Sequence, residues 1–368
     1  MYTLSVKFVI YSRSQAGKRA PSEPHATISI TTPKLPEASL VETELRQGVL
    51  RLSFADTGDY GQPIRNDILF SHQDAERILA FADQHRHAVS CIVVHCEAGA
   101  SRSPGVGAAL CTLLGGDEAH FFANYAPNRY VRRELLDYAR KTYWPRGEKL
   151  VGDAIAPIEP ITLGHSEATV AIVTTEQGRF IRKAGATDVL TREAQVLQAL
   201  DGVTPLAPKF IGQDGEAFFQ TVLPGKPLSE AIHEDPEKFA RLFGETLKEL
   251  HSLTPPLPSN PKDNWTWLQR NAELDSQPPV FSHGDWCLPN VLTDGERITG
   301  WIDWADGGWR DPRIDLGTGL WTLRYNLVRL AENPNPEACA LAEKAFLAGY
   351  GFPEDPATLE PFVKLYQS

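Results

Sequence analysis

No stretch of the sequence approaches the roughly 18 apolar residues that a membrane helix requires, and no internal repeat or low-complexity tract is present. No membrane partner is therefore expected. Cysteine is scarce: Cys91, Cys96, Cys111, Cys287 and Cys339 are the five thiols in 368 residues. An odd, thinly spread set excludes a disulfide framework and predicts reduced thiols, as in a cytosol. The first residues, MYTLSVKFVIYSRSQAGKRA, carry only a short apolar run with no basic segment before it. That argues against a secretory signal, so a cytoplasmic protein is expected. Compositional bias is lacking too. With 42% hydrophobic and 23% charged residues, the chain is neither disordered, collagenous nor a coiled coil as a whole.

At roughly 150 residues per domain the length predicts two domains. The net charge of −11 is unevenly spread: residues 1–150 hold 18 Lys+Arg against 16 Asp+Glu, and the remainder 18 against 31. The acidic second part disfavours nucleic acid and attracts cationic ligands, although solubility alone accounts for such charge. The break falls at residues 141–160, KTYWPRGEKLVGDAIAPIEP, with three prolines, two glycines and no sustained period. Domains over 1–147 and 155–368 are expected.

Before the break, VKFVIYS, ATISIT, VLRLSF and SCIVVHC read as strands, the last as one buried on both faces. HQDAERILAFADQHR, PGVGAALCTLLGG and VRRELLDYARK read as helices. This predicts an α/β domain, a central mostly parallel sheet with flanking helices. After the break, TVAIVTTEQGRFIRKAG predicts a hairpin at Gln177-Gly178, TREAQVLQALDG a helix and AFFQTVLPG a strand. PEKFARLFGETLKELHSL is a long amphipathic helix, and the remainder reads as mostly helical. A small strand-rich lobe before a larger helical one is the outline of a bilobal α+β, kinase-like fold.

The first chemical constellation is CIVVHCEAGASRSPGVG, residues 91–107. A buried strand ends at His95-Cys96, and Pro104 suits the start of a helix. A tight loop between strand and helix N-terminus turns amides inward and cradles anions. That field favours a Cys96 thiolate nucleophile. Arg102 offers a fork for phosphate oxygens, Gly99 permits the tight backbone, and the Ser103 hydroxyl can stabilise the departing thiolate. Cys91 and Cys111 read as small buried hydrophobes. The motif resembles the Cys-x5-Arg signature of dual-specificity and tyrosine phosphatases, matched at His95, Cys96, Gly99, Ser101, Arg102 and Ser103. The resemblance implies a phosphorylated substrate and an acid on a separate loop. Asp56, just past a strand end, is favoured over Asp59 in the following loop. Both also suit turn capping. Arg129, Arg132 and Arg133 are further candidates for substrate contact, or a solvated helix face.

The second constellation is VFSHGDWCLPNVLTDGERITGWIDWADGGWRDPRIDL, residues 280–316. A hairpin turning at Asp294-Gly295 brings Asn290 and Asp303 to one end. An amide oxygen and a carboxylate suit Mg2+, and Asp285 upstream faces the same space to orient a hydroxyl for attack. His-Gly-Asp-x4-Asn followed by Ile-Asp resembles the aminoglycoside phosphotransferase family, whose fold is that of protein kinases. The resemblance covers roughly 160–368. It implies ATP and magnesium as cofactors, Asp285 as the catalytic carboxylate, Asn290 and Asp303 as metal ligands, and a structural Asp315. It also implies that Lys183 holds ATP phosphates in preference to Arg182, with Glu193 as its ion-pair partner. Gln220 to Val222 would form the adenine-contacting hinge, and Gly164-His165-Ser166 a phosphate cover. His251 and His283 read as structural. The CLPN run at Cys287–Asn290 resembles the 3'-phosphotransferases in particular. Their Gly-Arg pair is replaced by Ala305-Asp306, and their acidic, aromatic tail is not matched by the final LYQS.

The expectation is a bifunctional protein. One part is a phosphatase acting through a phosphocysteine. The other is an ATP-dependent small-molecule kinase with a hydroxyl acceptor, cationic and aminoglycoside-like. Two rivals remain: a regulatory protein in which one domain only binds phosphorylated ligand, and a kinase with a protein acceptor. The first is disfavoured because both sets of reactive residues are intact, the second by the short interval between Asp303 and Asp315.

Overall fold

The computed structural model describes residues 6–56, 68–161, 169–185, 187–257, 277–330, 334–353 and 355–366. It divides into two compact units. The first comprises residues 1–154, 160–169 and 213–217, the second residues 155–159, 170–212 and 218–368.

In the first unit β1 (Lys7–Ser12), β2 (His25–Thr31), β3 (Arg46–Ser53) and β4 (Cys91–Cys96) form a sheet in the order β1-β4-β2-β3. All its pairings are parallel. Alternation along β4 sends Ile92, Val94 and Cys96 into the main apolar core with Ile28, Ile30, Phe54, Val106 and Leu110. Helices at His72–His85, Arg102–Leu113 and Arg129–Lys141 complete the unit. The first starts with a capping box between Ser71 and Asp74, the third with Asn128 accepting from the Val131 amide. The register pairs Ser12 with Cys96 and Thr31 with Ser53. The carboxyl ends of all four strands therefore lie along one edge, where open parallel sheets place their ligands.

A second sheet runs β5-β6-β7-β9-β8, made of β5 (Glu159–Ile161), β6 (Thr169–Thr175), β7 (Gly178–Ala184), β8 (Phe210–Asp214) and β9 (Ala217–Thr221). The hairpin at Gln177-Gly178 and the helix Thr187–Leu200 follow the hydrophobic pattern. The expected linker is not featureless: it holds a helical turn, Glu148–Val151, with Val151 buried, and β5.

The rest of the second unit is less purely helical than its pattern suggests. β10 (Lys226–Pro227), β12 (Val291–Thr293) and β13 (Ile298–Trp301) form one sheet, β11 (Val280–Ser282) and β14 (Gly308–Arg310) another. These strands are too short for a period to show. Helices span Pro236–His251, Arg313–Arg324, Pro336–Tyr350 and Glu360–Leu365. The core is aromatic: Trp286, Trp301, Trp304, Phe243, Phe281 and Phe346 are all fully buried. The Trp301 indole donates to Thr246 Oγ1 at 2.9 Å and the Trp304 indole to the Trp301 carbonyl at 3.0 Å. Trp286 and Trp304 directly follow Asp285 and Asp303 in the chain, so each carboxylate adjoins a fully buried ring.

Candidate active sites

In the first unit β4 ends at Cys96, five residues follow, and the helix begins at Arg102, two residues earlier than Pro104 suggests. The loop is tied from outside. Glu97 Oε1 accepts from Arg13 at 3.0 Å, and the Ala100 and Ser101 carbonyls accept from the Ala126 and Asn128 amides. Its interior turns on Gly99, at φ +73°, where a Cβ would meet the Ser12 nitrogen at 2.7 Å. Only glycine fits. The Gly99 amide then points at Cys96 Sγ, 3.3 Å away, and the Ser103 hydroxyl donates to the same sulfur at 3.2 Å. Burial pushes the Cys91 and Cys111 thiols up to about 11.

Arg102 is 3% exposed. Its guanidinium is held by the Phe54 carbonyl at 2.8 Å and Thr32 Oγ1 at 3.0 Å. Its Nε is buried with no hydrogen-bond partner among the described residues, an unspent donor of the kind an anion takes. Asp56 Oδ2 lies 3.8 Å from that nitrogen. Asp56 Oδ1 accepts from the Ser101 hydroxyl at 2.7 Å and from Asn128 Nδ2 at 2.9 Å, and its side chain is 41% exposed. Cys96, Arg102, Ser103 and Asp56 are thus brought together; Asp59 lies outside the described residues. Arg132 pairs with Glu118 and Arg133 with Glu134. Asn128 was not legible as a site residue. Its only signal is its place before a helix, which announces the cap and not the hand it lends Asp56.

In the second unit Lys183 Nζ on β7 lies 2.5 Å from Glu193 Oε1 and 3.1 Å from Asp303 Oδ1. Burial opposes the charge on Lys183, but the two carboxylates outweigh it and hold the ammonium above its usual range. Arg182, its neighbour on β7, is also buried but makes neither contact. Gln220 on β9 is 2% exposed, so its side chain faces the interior, and Val222 follows the strand. Gly164, His165 and Ser166 lie outside the described residues.

The Ile302 amide bonds to the Asn290 carbonyl at 2.9 Å, extending the β12–β13 ladder so that Asn290 and Asp303 emerge together. Asp303 takes φ +68°, unusual for a residue with a side chain, and its carboxylate is 48% exposed. Asn290 Nδ2 donates to Asp285 Oδ2 at 2.9 Å and to the Asp285 carbonyl at 3.0 Å. With the nitrogen so occupied, the amide oxygen is the atom Asn290 offers a cation. An amide oxygen and a half-exposed carboxylate are the hard donors Mg2+ takes. Asp285 Oδ1 accepts from the Cys287 thiol at 3.1 Å and from the Tyr366 hydroxyl. Tyr366 was not legible as a site residue, because it stands 81 residues away with no motif around it. Asp315, fully buried, grips the main chain before Asp285: its oxygens accept from the His283 and Gly284 amides at 2.8 and 2.9 Å, with His251 Nε2 at 3.0 Å. Burial works against the Asp315 carboxylate, but His251 and these amides hold it below its usual range.

A family model described as "Phosphotransferase enzyme family" matches residues 157–273 and 260–362, more than half of the chain. An aminoglycoside 3'-phosphotransferase of Niallia circulans is 29% identical over 100 residues, 27% of this chain and 38% of that protein. A probable aminoglycoside 3'-phosphotransferase of Lactococcus lactis subsp. lactis (strain IL1403) is 47% identical over 57 residues, 16% of this chain and 22% of that protein. The chain thus spans well under half the length of these curated relatives. Among solved structures, the aminoglycoside phosphotransferase APH(3'')-Id of Streptomyces rimosus ATCC10970 is 22% identical, covering 57% of this chain and 91% of that one at a TM-score of 0.44. A likeness at that level decides nothing by itself. No helix among the described residues is long and apolar enough to cross a membrane.

Proposed function

Since the chain belongs to the phosphotransferase enzyme family, we propose that residues 155–368 transfer a phosphoryl group from ATP to a hydroxyl of a small cationic molecule. Residues 1–147 form a cysteine-dependent phosphatase. The observation that carries the kinase reading is the convergence of Asp285, Asn290 and Asp303, with Lys183 linking Asp303 to Glu193. Asp285 is placed to accept the proton of an attacking hydroxyl. Lys183 supplies a fixed positive charge for transferring phosphates. Asn290 and Asp303 would hold magnesium, which when bound neutralises charge on the nucleotide phosphates.

A cationic acceptor is supported by three features: the acidic balance of the second part, Asp306 at the departure from the relatives' Gly-Arg, and the stacked rings of Trp321 and Tyr325, 4.9 Å apart, with Tyr366 against Trp321. Aromatic faces and carboxylates together favour cations. The phosphatase reading rests on the two donors at Cys96 Sγ and the buried Arg102 beside Asp56. The thiolate would attack phosphorus, Asp56 would protonate the departing oxygen, and water would release phosphate from the phosphocysteine.

The kinase test is ATP consumption with kanamycin, neomycin, choline and neutral sugars, with Asp285→Asn as the blank. Turnover confined to neutral or anionic acceptors would overturn the cationic acceptor and leave the kinase standing. The phosphatase test is p-nitrophenyl phosphate hydrolysis. Cys96→Ser is expected to abolish it and Arg102→Lys to lose most of the rate with the fork. Near-normal hydrolysis by Cys96→Ser would remove the assignment.

A further inference from the structure

Tyr366 caps the helix Glu360–Leu365. Its ring packs on Trp321 with centroids 4.5 Å apart, and its hydroxyl donates to Asp285 Oδ1. The Cys287 thiol approaches both groups, at 3.4 Å from the phenol oxygen and 3.1 Å from the carboxylate. The other oxygen of Asp285 is taken by Asn290. Oδ1 is therefore the oxygen left to receive an acceptor proton, and among the described residues Tyr366 supplies the hydroxyl seated on it. A base acts on the proton within its hydrogen-bonding reach. Here that proton is a phenol's, on the carboxylate that Asn290 also touches.

We propose that Tyr366 is a phosphoryl acceptor of this chain's own kinase site. The proposal rests on the reading of Asp285 as the catalytic carboxylate. In the transfer step the Tyr366 oxygen bonds to the terminal phosphorus of a nucleoside triphosphate and its proton passes to Asp285 Oδ1. The bond from that phosphorus to the bridging oxygen breaks, and the nucleoside diphosphate leaves with the electron pair. A phosphate on Tyr366 would face the Asp285 carboxylate, and repulsion between like charges would drive the ring off. Phosphorylation would thus clear the position that an external acceptor needs.

The test uses the full chain with ATP and Mg2+ and no other acceptor. Phosphate is located by peptide mass spectrometry and nucleotide binding is measured separately by calorimetry. Cys96→Ser, chosen so that the proposed phosphatase cannot hydrolyse the label, is expected to accumulate one phosphoryl group on Tyr366. Cys96→Ser/Tyr366→Phe and Cys96→Ser/Asp285→Asn are expected to bind nucleotide and carry none. The rate of labelling should not depend on protein concentration, because the phenol is seated within its own chain. Nucleotide binding without phosphate on Tyr366 would overturn this proposal alone. Phosphate elsewhere, or labelling that rises with protein concentration, would also overturn it. A chain that binds no nucleotide would overturn the kinase reading and this one with it.

Discussion

His95 is fully buried at the end of β4, beside Cys96. Burial pushes its imidazole down to about 4, whereas an unfolded histidine titrates near about 6.5. Above the unfolded value both states are neutral and stability is complete. As pH falls between the two values the unfolded chain binds the proton first, and roughly 3 kcal/mol is lost by about pH 4. Amide exchange of β4, corrected for intrinsic rates, is expected to show protection falling across that window, with the fall removed in His95→Gln. An equal fall in the variant would mean another group is responsible. Asn128 makes a second residue-scale case. Its oxygen caps a helix while its nitrogen holds Asp56. If Asp56 is the general acid proposed above, Asn128→Ala is expected to lower kcat about tenfold to a hundredfold, a part of the ~10²–10⁴ that general acid catalysis contributes. The loss should be larger for phenyl phosphate than for p-nitrophenyl phosphate, whose leaving group needs less help. Equal losses on both would mean that Asn128 acts on folding and not through the acid.

Among elements, the helices Pro236–His251 and Pro336–Tyr350 meet where Gly244 has no side chain. A Cβ there would lie 2.0 Å from the Phe346 carbonyl oxygen and 2.8 Å from the Tyr350 nitrogen. Helix propensity alone favours Gly244→Ala by about 1 kcal/mol, while overpacking costs about 1–3 kcal/mol. Against rigid backbone the second effect wins, so the urea midpoint is expected to fall. A rise would mean the helices part freely. Elements with a strong period were legible from sequence: all four strands of the first unit, its main helices, the β6–β7 hairpin and the long helix. β8, β11 and β14 were not, because such short strands are made by pairing partners and not by their own pattern. Phe281 opposes Trp309 across β11 and β14, an agreement no local window contains.

For the whole molecule, the division of charge and the domain boundary expected from the sequence between 147 and 155 lead to a further expectation. A fragment ending near Gly147 should retain p-nitrophenyl phosphate hydrolysis, and one beginning near Ala154 should bind ATP. Insolubility of both, with a soluble parent, would mean one fused core, and the clustering of residues 160–169 and 213–217 with the first unit makes that outcome informative. A cationic acceptor should also associate more slowly as salt rises, since screening over about 8–10 Å weakens acidic steering. A salt-independent kcat/KM would count against it. The sequence by itself determined the two candidate constellations, because strand, loop and helix starts are local and Cys96 to Arg102, or Asp285 to Asn290, lie within one such unit. It also determined the end-to-end match of Asn290 with Asp303, through a hairpin's pairing. Only the tertiary structure decided what touches these groups from far along the chain: Asn128 on Asp56, Thr32 on Arg102, Asp315 under His283, and Tyr366 on Asp285. Such contacts depend on how separate elements pack, and a hydroxyl or amide that will complete a site looks, in its own neighbourhood, like any other.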